Sequence, residues 1–571
     1  MFMLDLTTFT VTEITPFKTD GSGNLDVNSP ILPINWGIQA ENYFVLQDNQ
    51  SLPIIFNGSL ARRSNQSLSE VPVGNVMCYC QGRLTVALPD RQSFRIGDLV
   101  FGSSGTPALQ YRDAMLRYTE NNYYNEGGDF VARVFGAPSA VGPILAMKSG
   151  AQGDTALGQG PLVVFTPYTV FTVQLPFDRT TWKNLANPIQ TVNPIYGALG
   201  QDSTVLVNSD IWYRAIDGIR SYISAQRQFN GSEGNTPQSS EIDDEISVDT
   251  PELLEYGSAV LFNNRLLMTI SPVNSPYGVY HRGLAVLDFN LISSLRGSSS
   301  PAWEGIWSGL RVLKIVKGIV NRRERCFIYN LNASNQIELW ELTTGDLFDN
   351  GSSPISWSVD LRSYNCGDSD AFKRLETGRI IVSNLVGSLS YTVRYRTDES
   401  PCYQLWSSGT VCSKYRDCGG PKTTTTNGPF TVPALNATVV VTLTTTAGMN
   451  TFNSAVVIGG FSFTITLVNS MTQVTLKNTA GVTPGTIVPS GASVSYTGFD
   501  CTGPHTYREQ ERTPIKLGMP PDDFDTIAGR KFRTNYEVQP RIEFTGYGWM
   551  RQFRVYNLDE AESLSPEPNA T

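Results

Sequence analysis

The hydrophobic pattern of this chain is made of short apolar runs that meet at polar two-residue turns. One clear copy is Met77-Cys78-Tyr79-Cys80, then Gln81-Gly82, then Arg83-Leu84-Thr85-Val86. A second is Val260-Leu261-Phe262, then Asn263-Asn264, then Arg265-Leu266-Leu267-Met268. Looser copies run from Ala215 through Asp217-Gly218 to Arg220, and from Leu375 through Thr377-Gly378 to Arg379 and Val382. Turn pairs of this kind tolerate the left-handed φ of tight hairpins, so each copy predicts two antiparallel strands with an arginine just past the turn. Arg83 and Arg220 stand 137 residues apart, and Arg220 and Arg265 stand 45 apart. Strands recurring every 40 to 50 residues or so are the mark of propeller blades. The 114 residues from Arg265 to Arg379 break that register. Further strands are expected at Phe130 to Val134 and Leu162 to Val173, and the unbroken apolar run Leu162-Val163-Val164-Phe165 reads as a strand covered on both faces.

A helix is expected from Pro107 to Asn122, where Leu109, Met115 and Leu116 keep roughly helical spacing, with Gly127-Gly128 to stop it. Ser239 to Ile246 is acidic and reads as a solvated loop and short helix. Near the end, Leu389 to Arg396, Tyr536 to Phe544 and Met550 to Tyr556 alternate with period two and should pair into one half-buried sheet. Between these flanks the composition changes. From Lys422 to Phe499 there is no Asp, Glu or Arg, and alternating runs such as Thr438 to Thr444 are separated by Gly459-Gly460 and Pro484-Gly485. Charges return at Asp500 and Arg508, so this stretch reads as a β-sandwich inserted in a parent domain.

The expected organisation is therefore all-β. An N-terminal arm covers 1–40, a β-propeller of five to seven blades 41–385, and a β-rich platform domain 386–421 plus 501–556. The inserted sandwich covers 422–500 and a flexible tail 557–571. An inserted domain leaves and re-enters its host at neighbouring points, so Cys418 and Cys501 are expected to lie close together.

Composition limits the chemistry. Only 17% of the 571 residues are charged and the net charge is −9, so there is no global basic footprint for gripping nucleic acid. His281 and His505 are the only histidines, and no G-x-S-x-G elbow is present, which argues against a histidine-rich metal centre and a serine-hydrolase triad. The first residues lack a basic region followed by an apolar one, and no run approaches the roughly 18 apolar residues that span a bilayer. The N-x-S/T sequons are what an Asn-, Ser- and Thr-rich chain produces by chance.

Individual candidates are equally plain. Asp20 to Asp26 alternates oxygen ligands like a calcium loop, but Leu25 and Ile31 occupy the positions that need Gly and Glu. Asp243-Asp244-Glu245 and Asp522-Asp523-Phe524-Asp525 are carboxylate clusters of the type a glycosidase uses, yet adjacent loop acids point apart into water. The eight cysteines contain no C-x-x-C pair, and Cys78 and Cys80 share one strand face as small buried apolar groups. Trp303, Trp307 and the pair Trp212-Tyr213 suit packing between blades more than sugar stacking. No catalytic residue, cofactor or metal is expected. The hairpin residues Gly82, Arg83, Asp217, Gly218, Arg220, Asn264 and Arg265 are expected to be structural.

Several stretches carry a resemblance. Tyr111 to Asn121, Tyr213 to Ser221, Trp303 to Gly309, Ile337 to Glu341, Tyr395 to Asp398 and Gln539 to Phe544 resemble bacteriophage tail nozzle and tail-hub proteins, whose core is a β-propeller. The match spans roughly residues 40 to 420 and 500 to 556 and is carried by diffuse motifs. The segment 422–500 is similar instead to small Ig-like modules of phage structural proteins. This resemblance implies a non-enzymatic virion protein, assembled in the bacterial host cytoplasm. Its subunits would form a ring, usually a homohexamer, at the distal end of a short tail and bound the channel through which DNA is ejected. It further implies contacts with tail adaptor or portal-proximal proteins and tail fibres, and passage of genomic DNA without specific binding. A negative wall suits such a conduit. The competing classes are a receptor- or glycan-binding propeller, a lectin-like tail adhesin, and a propeller glycosidase, which would need paired carboxylates at the propeller mouth.

Overall fold

The computed structural model describes residues 2–14, 35–98, 116–118, 135–150, 160–174, 176, 189–193, 195–230, 236–292, 301–343, 348–349, 353–365, 373–398, 400–412, 421–449, 455–479, 482–497, 512–520, 524–525, 530–531 and 534–559. It divides into two compact units, 1–344 and 345–571.

In the first unit five antiparallel meanders follow one another. Their first strands are Trp36–Ala40, Met77–Cys80, Ala146–Ser149, Thr204–Val207 and Ala259–Phe262. Each first strand lies against the first strand of the next sheet, so the sheets stand around common ground in a propeller-like arc. Gln201 links these inner strands. Its Nε2 donates to the Met77 and Met147 carbonyls, both at 3.1 Å, and its Oε1 accepts from Met147 N at 2.7 Å.

The third sheet shows why the run Leu162–Phe165 is apolar throughout. All four residues are buried, but Leu162 and Val164 enter one core with the first two sheets. Val163 and Phe165 enter another core with Ile211, Tyr213 and Ala215. Period-two alternation here sorts side chains between two cores, where a half-exposed sheet would sort them between core and water. The fifth sheet does the same with Leu266 and Met268 on one side and Val260 and Leu267 on the other. It has six strands, ending at Ile337–Leu342, and curls so that Cys326 and Ile328 of its fifth strand cover Val260 and Phe262 of its first. That curl fills the face a further blade would cover. The two ends of the arc are tied by the N-terminal hairpin Phe2–Asp5 and Thr10–Glu13. Ile14 packs on Ala61 of the first sheet, while the Leu6 carbonyl accepts from Arg325 Nη1 at 3.1 Å in the fifth.

Several boundaries differ from the sequence reading. The first strands begin at 36, 77, 146, 204 and 259, steps of 41, 69, 58 and 55 residues, so the 45-residue interval is not the blade repeat. It compares unlike hairpins: Arg265 follows a first-to-second turn and Arg220 a second-to-third turn. Trp36–Ala40, counted in the arm, is the first strand of the first sheet. Leu116 to Tyr118 are not helical, and Arg117 bridges Glu70. The remainder of that expected helix, and the expected strand at Phe130 to Val134, lie outside the described residues. The sequence reading did not anticipate the nine-residue helix Tyr222–Asn230.

The second unit is organised on five strands: β1 (Ser356–Asp360), β2 (Lys373–Thr397), β3 (Ser400–Cys412), β4 (Thr513–Leu517) and β5 (Val538–Asp559). The sheet order is β1-β5-β2-β3, with β4 also paired to β2. Thr377-Gly378-Arg379, read as a hairpin turn, is instead the interior of β2, with Gly378 opposite Leu517 on one side and Val555 on the other. The glycine serves packing: a Cβ there would meet the Trp406 ring at 2.8 Å. Residues 373–385 therefore belong to this sheet, and the division between units falls at 344. Asn557 to Asp559, assigned to the tail, continue β5 opposite Leu375, Arg374 and Lys373.

The charge-poor segment forms its own sheet, in the order Pro421–Thr425, Ser493–Thr497, Ala455–Ile458, Phe461–Val468, Gln473–Lys477, Thr438–Thr442. A bridge between Thr426 and Leu443 joins its two outer strands, and the enclosed core holds Phe430, Phe463, Leu476 and Tyr496. An edge paired with its own opposite edge needs no charged guards, which is how a module without Asp, Glu or Arg avoids open-edge pairing. Its first and last strands are neighbours, with Pro421 opposite Thr497. Cys418 and Cys501 lie outside the described residues. Replacing Lys422 to Phe499 with a short Gly-Ser linker is expected to leave the remaining sheets folded, as read by far-ultraviolet circular dichroism and a cooperative melt. Loss of the melt would place the module in the host core.

Candidate functional site

The hairpin residues are placed by turn geometry and then locked by burial. Gln81 and Gly82 have φ of 51° and 71°, and Asn263 and Asn264 of 50° and 58°, the left-handed pairs that close two-residue hairpins. Arg83 is buried and its Nη1 donates to the Gly97 carbonyl at 2.8 Å. Arg265 Nε lies 2.6 Å from Glu304 and 3.2 Å from Asp288. In the third copy the loop is Ile216-Asp217, because Ala215 pairs with Gly218. Gly218 has φ 147°, and a Cβ there would strike Ser239 Oγ at 2.6 Å. Arg220 folds back on Asp217, Nε donating to Oδ1 at 3.0 Å and Nη2 to Oδ2, with its guanidinium 4.2 Å from the Tyr196 ring centre. Arg83 thus staples its hairpin to neighbouring backbone, while Arg265 and Arg220 pair with carboxylates on or near theirs.

Sequence reasoning missed a further pair. Arg214 is 2% exposed, donating to the carbonyls of Ala215 at 2.9 Å and Ile246 at 3.0 Å and to Asp249 Oδ2 at 3.1 Å. Asp249 Oδ1 accepts from Ser271 N at 2.9 Å. Burial pushes Asp249 up and Arg214 down, and each opposes the other's shift by its charge. The signal in the sequence is an arginine inside the otherwise apolar strand Ile211-Trp212-Tyr213-Arg214-Ala215, which requires a buried partner.

The other candidates are structural too. Asp243, Asp244 and Glu245 are exposed on a four-residue helical turn whose one buried residue is Ile246. Cys78 and Cys80 share the first core, and burial pushes both thiols up; burial likewise raises Cys326 to about 12. Trp212 packs edge-on to Phe289 with centroids 5.7 Å apart, and Trp303 Nε1 donates to the Gln238 carbonyl at 3.0 Å. Trp307 packs against the core beneath the curl of the fifth sheet. His281 is fully buried with Nδ1 3.3 Å from the Val312 carbonyl, while Nε2 has no partner. Burial pushes it down to about 4. Asp20 to Asp26, Asp522, Asp523 and His505 lie outside the described residues. Among the described residues no three His, Cys, Asp or Glu side chains are grouped to hold a metal, and no helix is long and apolar enough to cross a membrane.

The feature with the extent of a functional surface is the solvated face of the second unit's sheet. Three cross-strand rows line it: Ser356, Thr545, Ser390 and Thr410; then Ser358, Glu543, Thr392 and Ser408; then Asp360, Arg541, Arg394 and Leu405. The first row is laced by Ser356 Oγ to Thr545 Oγ1 at 3.0 Å and Ser390 Oγ to Thr410 Oγ1 at 3.1 Å. Beside the third row, Tyr403 lies between the guanidiniums of Arg541 and Arg396, 4.4 and 5.2 Å from its ring centre. Arg541 is held by both oxygens of Asp360 and Arg396 by Gln539. The opposite face carries the core of Leu389, Val393, Tyr395, Ile542 and Phe544.

No family model and no curated protein matches this chain. Among solved structures, a chain of the BBS1N complex with ARL6DN superposes with a TM-score of 0.25 at 14% identity, over 55% of this chain and 93% of that one. A chain of the yeast heterotrimeric Nup82-Nup159-Nup116 nucleoporin complex superposes with a TM-score of 0.21 at 10% identity, over 55% of this chain and 100% of that one. At such scores nothing about this chain follows from either.

Breaking the buried pair by Arg214→Met is expected to cost about 3–5 kcal/mol in chemical denaturation, with Arg214→Met plus Asp249→Leu recovering part of it. Equal losses in the single and double variants would mean that the pair is not coupled. For His281 the native value lies below the unfolded value of about 6.5, so its contribution is full above pH 6.5 and is lost as pH falls toward 4. Between pH 7 and pH 4 the wild type should lose about 3 kcal/mol more than His281→Leu, from a shift worth about 1.4 kcal/mol per pH unit. Parallel pH profiles would refute this.

Proposed function

We propose that this chain is a structural subunit of a bacteriophage tail, forming a ring at the distal nozzle that bounds the channel for DNA ejection. The observation that supports it most is the β2–β5 ribbon. Strands of 25 and 22 residues paired along most of their length make a long wall, apolar on one face and lined by Ser, Thr, Arg and Glu on the other. Such a wall offers many weak, mixed-sign polar contacts and no deep site, which suits a surface that a polymer passes. The buried arginines fit this reading, because none of them is free to grip phosphate. The net charge of −9 works against retention of DNA. The resemblance in sequence supplies the phage context, the virion location and the contacts with adaptor proteins and tail fibres. A lectin-like role would have to use side chains other than Trp212 and Trp303, which are committed to packing.

Mass photometry of the full-length chain at about micromolar concentration tests the proposal, since obligate assemblies hold together there. A closed ring, six subunits by the resemblance, is expected. A stable monomer under particle-like conditions would contradict it.

A further inference from the structure

Among the described residues the sheet of the second unit ends in two edges that no further strand joins, β1 and β3. Among the described residues β1 pairs as a strand only with β5, and β3 only with β2. Natural sheets blunt such edges with charges, proline or short length. From Cys402 to Cys412, β3 reads Cys-Tyr-Gln-Leu-Trp-Ser-Ser-Gly-Thr-Val-Cys, without charge or proline, and its ladder to β2 runs unshifted from Cys412 to Ser407 before two register shifts nearer its start. β1 is protected by its five-residue length and carries one charge, Asp360, which is tied to Arg541 within the sheet. The inserted module closes its edges on each other, whereas among the described residues no strand covers either edge of this sheet.

Two further facts say what fits there. The cross-strand rows carry β1 and β3 at the same height, Ser356 level with Thr410, Ser358 with Ser408 and Asp360 with Leu405. Four strands alternate in direction, so β1 and β3 run opposite ways. Copies of the sheet related by rotation therefore present β1 of one beside β3 of the next as an antiparallel pair, with every polar face on the same side. An odd number of strands would have made that junction parallel.

We propose that β3 of one copy pairs with β1 of a second copy, so that the sheets of successive subunits join into one continuous antiparallel wall. The junction is head-to-tail, two different edges meeting, and such a contact closes only as a ring. It aligns the Ser, Thr, Arg and Glu rows of neighbouring copies on one uninterrupted face. This rests on the ring reading and specifies which surfaces make the ring.

The test is disulfide trapping in the full-length chain carrying Ser in place of Cys366, Cys402, Cys412, Cys418 and Cys501, which leaves the buried Cys78, Cys80 and Cys326. Ser358→Cys is combined in turn with Leu405→Cys, Ser408→Cys or Thr410→Cys, all on the solvated face, and oxidised. One combination should give a covalent ladder ending at the subunit number seen by mass photometry, while controls with only one of the two added cysteines stay monomeric on denaturing gels. A ring that forms with no ladder from any combination overturns the seam and leaves the ring reading standing. The absence of a ring overturns both. As a second measurement, Leu405→Lys with Ser408→Lys should weaken assembly about tenfold or more by placing charges on the edge, with the monomer's melt unchanged. Unaltered assembly of that variant also overturns the seam.

Discussion

The first unit depends on one constraint: its inner strands are covered on both faces, so successive side chains belong to different cores. Leu162 and Val164 answer to one neighbour, and Val163 and Phe165 to another. No residue of such a strand is free to be polar unless it carries its own partner inward. Several polar side chains there carry such a partner, Gln201 on the inner strands, Arg83 on Gly97 and Arg214 on Asp249, while His281 Nε2 is left without one. It also explains the curl of the fifth sheet, whose outward face would otherwise leave Val260, Phe262 and Leu267 in water. At about 25 cal/mol per Å² of apolar surface, leaving a sheet face uncovered costs more than bending the sheet.

The second unit solves the same problem with a different remainder. Its sheet has one apolar face and one polar face, and β2 and β5 are long enough to carry both a packed core and an extended solvated surface. The inserted module leaves and returns beside β2, since β3 before it and β4 after it both pair with that strand. The hydroxyl-rich module closes its own edges, and among the described residues the host sheet does not. The two β-structures in this unit thus treat strand pairing oppositely, one exhausting it internally and the other holding it in reserve.

Much of this was legible in the sequence. Turn pairs located the Gln81-Gly82 and Asn263-Asn264 hairpins, because a positive φ at two adjacent positions restricts residue choice strongly. The loss of charge after Lys422 marked the inserted module for the same kind of local reason. The failures share a cause as well. Thr377-Gly378 looks like a turn, yet Gly378 is there to admit the Trp406 ring, and nothing local separates a packing glycine from a turn glycine. The blade repeat was misread because the arginines past the turns mark hairpins, and hairpins occur at two different places within a sheet. The Arg214–Asp249 pair was visible as half a signal, an arginine in an apolar strand, but its partner 35 residues away belongs to the tertiary structure.

The central claim is that this molecule is built for assembly through the edges of its second sheet. Hydrogen exchange, compared between the dissociated and the assembled chain, tests it most directly. Amides of Ser356–Asp360 and of Tyr403 to Val411 should gain protection on assembly, while Ile337–Leu342, the outer strand of the fifth sheet of the first unit, should not change. Protection gained at Ile337–Leu342 and not at β1 and β3, or gained nowhere in the second sheet, would contradict the account.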